Sequence, residues 1–187
     1  MKKLMILYIN SCVRSSSRTN RLARAFLKKL GEEFFELFLP ELGLQPLSEQ
    51  ILEKRTTLIG RGDYSDPMFQ YAKQFAAAER IVIAAPFWDG SFPAVLKLYL
   101  ENIYVTGIVS RYGSDGRPIG MCKADELIYV TTAGGPYTRD YSYDYIKALA
   151  TNCFGIESVR LIMAENLDIN PAAAESILSE ATQSLTD

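Results

Sequence analysis

Residues 4–31 have the sequence LMILYINSCVRSSSRTNRLARAFLKKLG, and this stretch decides the fold. It begins with a continuous apolar run (4–9) and passes through a polar loop rich in serine and arginine (10–19). A helical pattern follows, in which apolar residues recur every three or four positions until Gly31, and Thr19 is its expected N-cap. A buried strand, a polar loop and an amphipathic helix in this order are typical of a parallel α/β sheet.

The rest of the chain repeats this alternation. Three further runs, residues 80–87, 126–132 and 159–164, are continuously apolar, as strands covered on both faces are, and residues 34–39 are a weaker fifth candidate. Helical patterns follow the strands, and they begin at Asp66 with Pro67, at Ser91 with Pro93, over residues 139–152, and at Asn170 with Pro171. The alternation predicts an α/β fold with a doubly wound parallel sheet of five strands, as a single domain over residues 1–187.

Two connections lack this pattern. Residues 40–65 show no strong period and are predicted to be a long connection. Residues 107–121 (GIVSRYGSDGRPIGM) are polar with glycine-rich turns, which indicates a β-ribbon.

Composition excludes several classes of protein. The net charge of −2 argues against a nucleic-acid binder, and no stretch approaches the roughly 20 apolar residues of a membrane span. The three cysteines form no CxxC pair and suit free thiols in a reducing compartment. The negative net charge and the lack of a recognisable signal peptide lead us to expect a cytoplasmic protein. The chain has no histidine, which removes the commonest general base and metal ligand, and no metal site is predicted.

Doubly wound sheets bind ligands at the carboxyl ends of their strands, where the strand order switches. Three loops of unusual composition follow predicted strands there: residues 10–19, 86–91 and 132–137. These loops are the expected ligand site.

The first loop fits two kinds of chemistry. As a phosphate cradle, it would use the Ser17 and Thr19 hydroxyls with the N–H groups of the following helix, helped by Ser11 and by the charge of Arg18. The residues from Cys12 to Thr19 also fit C-x5-R-[ST], the pattern of thiol phosphatases of the low-molecular-weight type. A serine-rich turn that only caps the helix is a third reading of this loop.

The second and third loops favour a flavin. Phe87 and Trp88 precede Asp89 and Gly90, and aromatic side chains beside a phosphate loop suit a flat ring, whose N5 and O4 the backbone N–H groups of 88–90 would face. In TTAGGPY (131–137) a Gly-Gly pair lets backbone N–H groups approach flavin N1 and O2. Core aromatics and a tight turn remain simpler readings of these loops. No G-x-G-x-x-G occurs, so a mononucleotide fits better than a dinucleotide.

With these loops in place, the chain resembles the flavodoxin-like NAD(P)H:quinone reductases and, within them, the FMN-dependent NADH-azoreductases. The segments that carry the resemblance are SSSRTNRLA, APFWDGSFPAVLKLYLENI, GIVSRYGSDGRPIG and TTAGGPY. The family's flavin segment has an asparagine where this chain has Asp89 and an aromatic residue where it has Gly90.

The resemblance implies a flavodoxin-like sandwich and a homodimer that binds FMN, takes hydride from NADH or NADPH, and passes two electrons to a small-molecule acceptor, a quinone or an azo compound. The implied FMN-binding residues are Ser11, Ser17, Arg18, Thr19, Pro86, Phe87, Trp88, Asp89, Gly90, Thr132, Ala133, Gly134 and Gly135. Tyr137 and Trp88 are expected to form the walls of the second substrate slot, with Tyr137 as candidate proton donor. The alternatives are the thiol phosphatase, a flavin carrier or FMN reductase, and a binding module without activity.

Overall fold

The computed structural model describes residues 6–183, and a sheet of five parallel strands lies at its centre. The described strands are β1 (Ile6–Asn10), β2 (Phe34–Phe38), β3 (Arg80–Ala84), β4 (Ser110–Tyr112), β5 (Pro118–Gly120), β6 (Glu126–Thr132) and β7 (Ser158–Ala164). The central sheet has the order β2-β1-β3-β6-β7, so the strand order switches between β1 and β3. The predicted flavodoxin-like doubly wound sheet of five parallel strands is confirmed.

The central strands are buried on both faces. Successive side chains of a strand point to opposite faces, so Leu7 and Ile9 of β1 pack in one apolar core, and Ile6 and Tyr8 pack in the other. The same alternation runs through β3 and β6. This double burial explains why these strands have continuous apolar sequences.

Helices cover both faces of the sheet. The described helices are α1 (Arg18–Leu30), α2 (Glu49–Gly60), α3 (Gln70–Ala77), α4 (Ala94–Ile103), α5 (Tyr143–Leu149) and α6 (Ala174–Gln183). Side chains of α1 and α6 pack in the core that holds Ile6 and Tyr8, whereas α3, α4 and α5 pack in the core that holds Leu7 and Ile9. Within residues 6–183, no helix is both long and apolar enough to cross a bilayer.

The start of α1 differs from the predicted start. Ser17, not Thr19, is the N-cap: its hydroxyl accepts a hydrogen bond from the Asn20 N–H at 3.3 Å. The helix therefore begins at Arg18, and Thr19 lies within its first turn, buried. Both residues carry the hydroxyl that a cap needs, so residue type alone did not separate them.

Helix α2 occupies 12 of the 26 residues predicted to be a connection without regular structure (40–65), so that prediction is wrong for this part of the chain. The buried residue of α2 is Arg55, whose guanidinium donates to the backbone carbonyls of Glu101, Asn102 and Tyr104 at the end of α4. Apart from Arg55, α2 packs on the core only through half-buried side chains such as Leu58 and Ile59. Its sequence therefore lacks the strong apolar period that predicts a helix.

Other helices and strands begin or end a few residues away from their predicted boundaries. The strand predicted over 80–87 ends at Ala84, although the N–H groups of Ala85 and Phe87 still donate to carbonyls of β6. The helix predicted over 139–152 is α5, which continues as a π-helical turn, Ala150–Phe154. The predicted ribbon is present as the antiparallel pair β4 and β5. Residues 4 and 5 of the first predicted strand lie outside the described residues.

Candidate functional site

A cavity of about 440 Å³ lies at the carboxyl ends of the parallel strands. Its lining residues are Val13, Arg14, Ser16, Ser17, Arg18, Thr19, Pro86, Phe87, Trp88, Thr132, Ala133, Gly134, Leu167 and Asp168. They come from the loops after β1 and β3, the end of β6 with its loop, and the loop after β7. The volume falls within the range of about 300–1,000 Å³ that is usual for small-molecule sites.

The first loop brings the amino end of α1 to the cavity. The backbone N–H groups of Arg18 and Thr19 have no hydrogen-bond partner among residues 6–183. They are free because an α-helix leaves its first N–H groups without intrahelical acceptors. Together with the helix dipole, they make this end of the cavity attractive to an anion.

The Thr19 hydroxyl is already paired across the cavity wall. Its Oγ1 lies 2.6 Å from Oγ1 of Thr132, and both side chains are buried. Each hydroxyl has one proton and two acceptor positions, so one of the two protons lies between the oxygens and the other remains for a ligand.

Ser11 and Cys12 do not line this cavity. The Ser11 hydroxyl is fully buried and donates to the Ala84 carbonyl at 2.8 Å, and the Cys12 Sγ lies 3.8 Å from the same oxygen. Burial raises the pKa of the Cys12 thiol to about 11. A nucleophilic cysteine needs the opposite shift, so this environment does not support the thiol phosphatase alternative.

The second loop places Pro86, Phe87 and Trp88 against the cavity and turns back immediately after them. Trp88 and Ser91 exchange two backbone hydrogen bonds, of 3.0 and 2.8 Å, around Asp89 and Gly90. The φ angles of these two residues are 51° and 79°, so they form the positive-φ pair of a type I′ turn, for which Asp-Gly is a preferred sequence.

This turn changes the interpretation of the second loop. Asp89 and Gly90 do not line the cavity, and the Trp88 N–H donates to Ser91 instead of facing a ligand. The N–H groups of residues 89 and 90 have no partner within the described chain. The positive φ angles of the turn explain why aspartate and glycine stand at positions 89 and 90.

The third loop is fixed through its carbonyl groups. The carbonyls of Ala133, Gly134 and Gly135 accept from the N–H groups of Leu167, Asp168 and Asn166, at 3.2, 2.8 and 3.0 Å. The N–H groups of Gly134 and Gly135 have no acceptor in the part of the chain that the structure describes. Gly134 lines the cavity with Thr132 and Ala133, whereas Gly135 lies just outside its lining.

Tyr137 lies behind the cavity wall. Its ring centre is 4.9 Å from that of Phe87, and its hydroxyl lies 2.8 Å from Ser142 Oγ. Its N–H donates to the Glu165 carboxylate at 2.7 Å, and burial of its side chain raises the pKa of its hydroxyl. Tyr137 thus touches a lining residue but does not line the cavity itself.

Five lining residues were not predicted from the sequence: Val13, Arg14, Ser16, Leu167 and Asp168. The first three belong to the first loop, whose serines and arginines were noted but not all assigned. Leu167 and Asp168 follow β7, which pairs with β6. Neighbouring parallel strands end at the same edge of a sheet, so the loop after the last predicted strand (159–164) belongs to the expected ligand site. Its position after that strand is the sequence signal that could have identified Leu167 and Asp168.

Comparison with known proteins identifies relatives of the whole chain. A family model described as having a flavodoxin-like fold matches residues 4–187. An FMN-dependent NADH:quinone oxidoreductase 2 from Clostridium acetobutylicum is 31% identical over 189 residues, which cover 95% of this chain and 93% of that protein. An FMN-dependent NADH:quinone oxidoreductase from Coprothermobacter proteolyticus is 31% identical over 193 residues, covering 97% and 94%.

Solved structures share the fold. An azoreductase from Bacillus anthracis str. Sterne has a TM-score of 0.83 at 20% identity, covering 97% of this chain and 96% of its own. An FMN-dependent NADH-azoreductase from Bacillus anthracis str. Ames Ancestor, solved in complex with FMN, has a TM-score of 0.79 at 21% identity and covers 98% of both chains. At these identities the likeness shows the fold alone.

Proposed function

This chain belongs to the flavodoxin-like family of FMN-dependent NADH:quinone oxidoreductases, and we propose that it binds FMN, accepts hydride from NADH or NADPH, and reduces quinones or azo compounds. One observation carries the proposal: a single cavity has free backbone donors at the start of α1, a free backbone donor at Gly134, and aromatic side chains on the same lining. These are the contacts that a phosphate, the electron-rich edge of a flavin and a flat ring require.

The phosphate end of the site is formed by α1. The free N–H groups of Arg18 and Thr19 supply two donors, the Thr19–Thr132 hydroxyl pair supplies a third, and the hydroxyls of Ser16 and Ser17 lie on the same lining. Arg14 and Arg18 also line the cavity, so a phosphate dianion there would meet positive charge and a helix dipole.

The ring end of the site is formed by the second and third loops. Phe87 and Trp88 provide apolar surface that excludes water, and Pro86 fixes the backbone beside them. The free Gly134 N–H would stabilise negative charge on the ring. Asp89 lies outside the lining and is exposed, so water screens the effect of its carboxylate on that charge. When bound, FMN supplies the hydride-accepting chemistry, and the chain supplies orientation, water exclusion and charge stabilisation.

Trp88 and Tyr137 are proposed to shape the slot for nicotinamide and acceptor. Trp88 lines the cavity and stays partly exposed, so it can contact a second ring. Tyr137 packs on Phe87 and holds that wall in place. Its role as proton donor stays a prediction, because its hydroxyl is paired with Ser142 Oγ and does not line the cavity.

We also propose a cytoplasmic homodimer. All three cysteines, Cys12, Cys122 and Cys153, are free, which suits a reducing compartment. Beside the turn that follows Trp88, a mostly apolar depression of about 530 Å³ offers a surface for a second copy. It is lined by Phe92, Tyr141 and Tyr145 together with the charged residues Lys97, Asp140 and Asp144. Light scattering during gel filtration would report about twice the chain mass.

The absorption spectrum of the purified protein, followed by turnover, tests the proposed function. We expect flavin bands, release of FMN on denaturation, and saturable quinone reduction by NADH or NADPH above the rate with the same concentration of free FMN. A colourless protein that takes up no added FMN would contradict the proposal. Uptake of FMN without saturable quinone reduction would favour the flavin carrier or FMN reductase.

A further inference from the structure

An ion pair joins two of the loops that form the cavity. Nη1 of Arg18, the first residue of α1, lies 2.6 Å from Oδ1 of Asp168, which follows β7. Both residues line the cavity, and the Asp168 side chain is 71% exposed. At the end of the cavity that we assign to the phosphate, the Arg18 guanidinium is therefore already paired with the Asp168 carboxylate.

The position of Asp168 is fixed by its neighbours. Its backbone N–H donates to the Gly134 carbonyl at 2.8 Å. Its Oδ2 lies where a side chain on residue 134 would begin: a Cβ built on Gly134 would be 2.2 Å from it. Glycine at position 134 thus leaves the space through which the Asp168 carboxylate reaches Arg18.

A phosphate bound at the start of α1 would compete with Asp168 for the same guanidinium. Arg18 can pair with a carboxylate or with a phosphate, and a phosphate dianion carries twice the charge. Since the Arg18–Asp168 pair is partly exposed to water, exchange of its acceptor costs little.

We propose that Asp168 is a specificity-determining residue that competes for Arg18 with the phosphate of the ligand, and so limits the preference of the site for phosphorylated over unphosphorylated flavins. This inference rests on the proposed function, because it assumes that the cavity holds FMN. It assigns to Asp168 a role in affinity, separate from the redox chemistry.

The expected size of the effect follows from the exposure of the pair. Exposed ion pairs contribute up to about 1 kcal/mol, which corresponds to about fivefold in affinity. Asp168→Asn removes the competing charge and keeps the shape of the side chain. It should lower the Kd for FMN by up to about fivefold and leave the Kd for riboflavin unchanged.

The test is a set of titrations of the full-length, flavin-free protein with FMN and with riboflavin, followed by flavin fluorescence. Riboflavin has the same ring as FMN without the phosphate, so the ratio of the two Kd values isolates the phosphate contact. Arg18→Gln should weaken FMN binding alone. If the competition passes through Arg18, adding Asp168→Asn to Arg18→Gln should then change the FMN Kd by less than about twofold.

Glu175→Gln is the matched control. Glu175 pairs with Arg21 of α1 at 2.7 Å and is as exposed as Asp168, at 71%, but it does not line the cavity. The change removes one negative charge from an exposed pair on the same helix, and it should leave the ratio of the two Kd values unchanged.

Three results would overturn the inference while leaving the proposed function standing. Weaker FMN binding by Asp168→Asn would mean that Asp168 orients Arg18 toward the phosphate. Equal tightening with and without Arg18 would mean simple repulsion between Asp168 and the phosphate. Equal wild-type affinities for FMN and riboflavin would mean that there is no preference to limit. If the wild-type protein binds neither flavin, the proposed function fails and this inference fails with it.

Discussion

The hydroxyl groups of Thr19 and Thr132 lie 2.6 Å apart, and the hydrogen bond between them joins the first turn of α1 to the end of β6. The two elements carry opposite ends of the proposed FMN site: the free N–H groups beside α1 and the glycine loop after β6. Because both hydroxyl groups belong to the protein, the bond itself fixes the distance between the two ends of the site. Such preorganisation lowers the cost of ordering on binding.

Thr19→Val should weaken FMN binding by about tenfold, which corresponds to about 1.4 kcal/mol. Valine keeps the shape of threonine but leaves the buried Thr132 hydroxyl without its partner and removes a donor from the phosphate end. The Kd for FMN from fluorescence titration measures the effect. Thr151→Val is the control, because that hydroxyl, in the π-helical turn after α5, donates to the Lys147 carbonyl, and Thr151 does not line the cavity. Wild-type affinity in Thr19→Val would show that the pair plays no part in binding.

Gly134→Ala should destabilise the protein by up to about 1 kcal/mol, since the new Cβ would meet Oδ2 of Asp168 at 2.2 Å and displace that exposed side chain from Arg18. Gly135→Ala is its neighbour and control, because nothing lies within 4 Å of the position of its Cβ. Urea unfolding of the two variants gives the comparison. Equal stability of both would show that the Asp168 side chain does not depend on glycine at position 134.

Arg55→Met should lower the free energy of unfolding by about 2–4 kcal/mol, because the carbonyls of Glu101, Asn102 and Tyr104 lose a buried charged donor. Urea unfolding again provides the measurement. Arg61→Met, at the exposed end of α2, should change the unfolding free energy by less than about 0.5 kcal/mol. If both variants behave alike, α2 is not anchored through Arg55.

Cys12→Ser should leave the Kd for FMN within about twofold of wild type, because serine can also donate to the Ala84 carbonyl. With its pKa raised to about 11 by burial, the Cys12 thiol carries almost no thiolate at neutral pH. We therefore expect no hydrolysis of p-nitrophenyl phosphate by the wild-type protein. Hydrolysis that Cys12→Ser abolishes would support the phosphatase alternative instead.

The sheet could be predicted because its strands are buried on both faces. The predicted strand over 126–132 coincides with β6, since burial of every residue from Leu127 to Thr132 required a continuous run of apolar or small side chains. Helix α2 could not be predicted in the same way. Its buried residue, Arg55, carries a charge that only the carbonyls of α4, distant in sequence, make tolerable inside the protein.

Site residues could be predicted where their position after a strand is enough to place them at the cavity. They could not be predicted where the direction of the side chain determines whether it reaches the cavity. Phe87, Trp88 and Gly134 line the cavity, as expected for residues that follow parallel strands. Ser11 also follows a strand, but its hydroxyl points to the Ala84 carbonyl, which no sequence pattern reveals. Asp168 was missed because its loop has an ordinary composition, and its role depends on the contact with Arg18.

A crystal structure of the protein with FMN tests the central claim most directly. We expect the phosphate at the N–H groups of Arg18 and Thr19, and the ring between Trp88 and the loop at Gly134. A cavity without density in crystals grown with saturating FMN, or a phosphate bound at Cys12, would contradict the account.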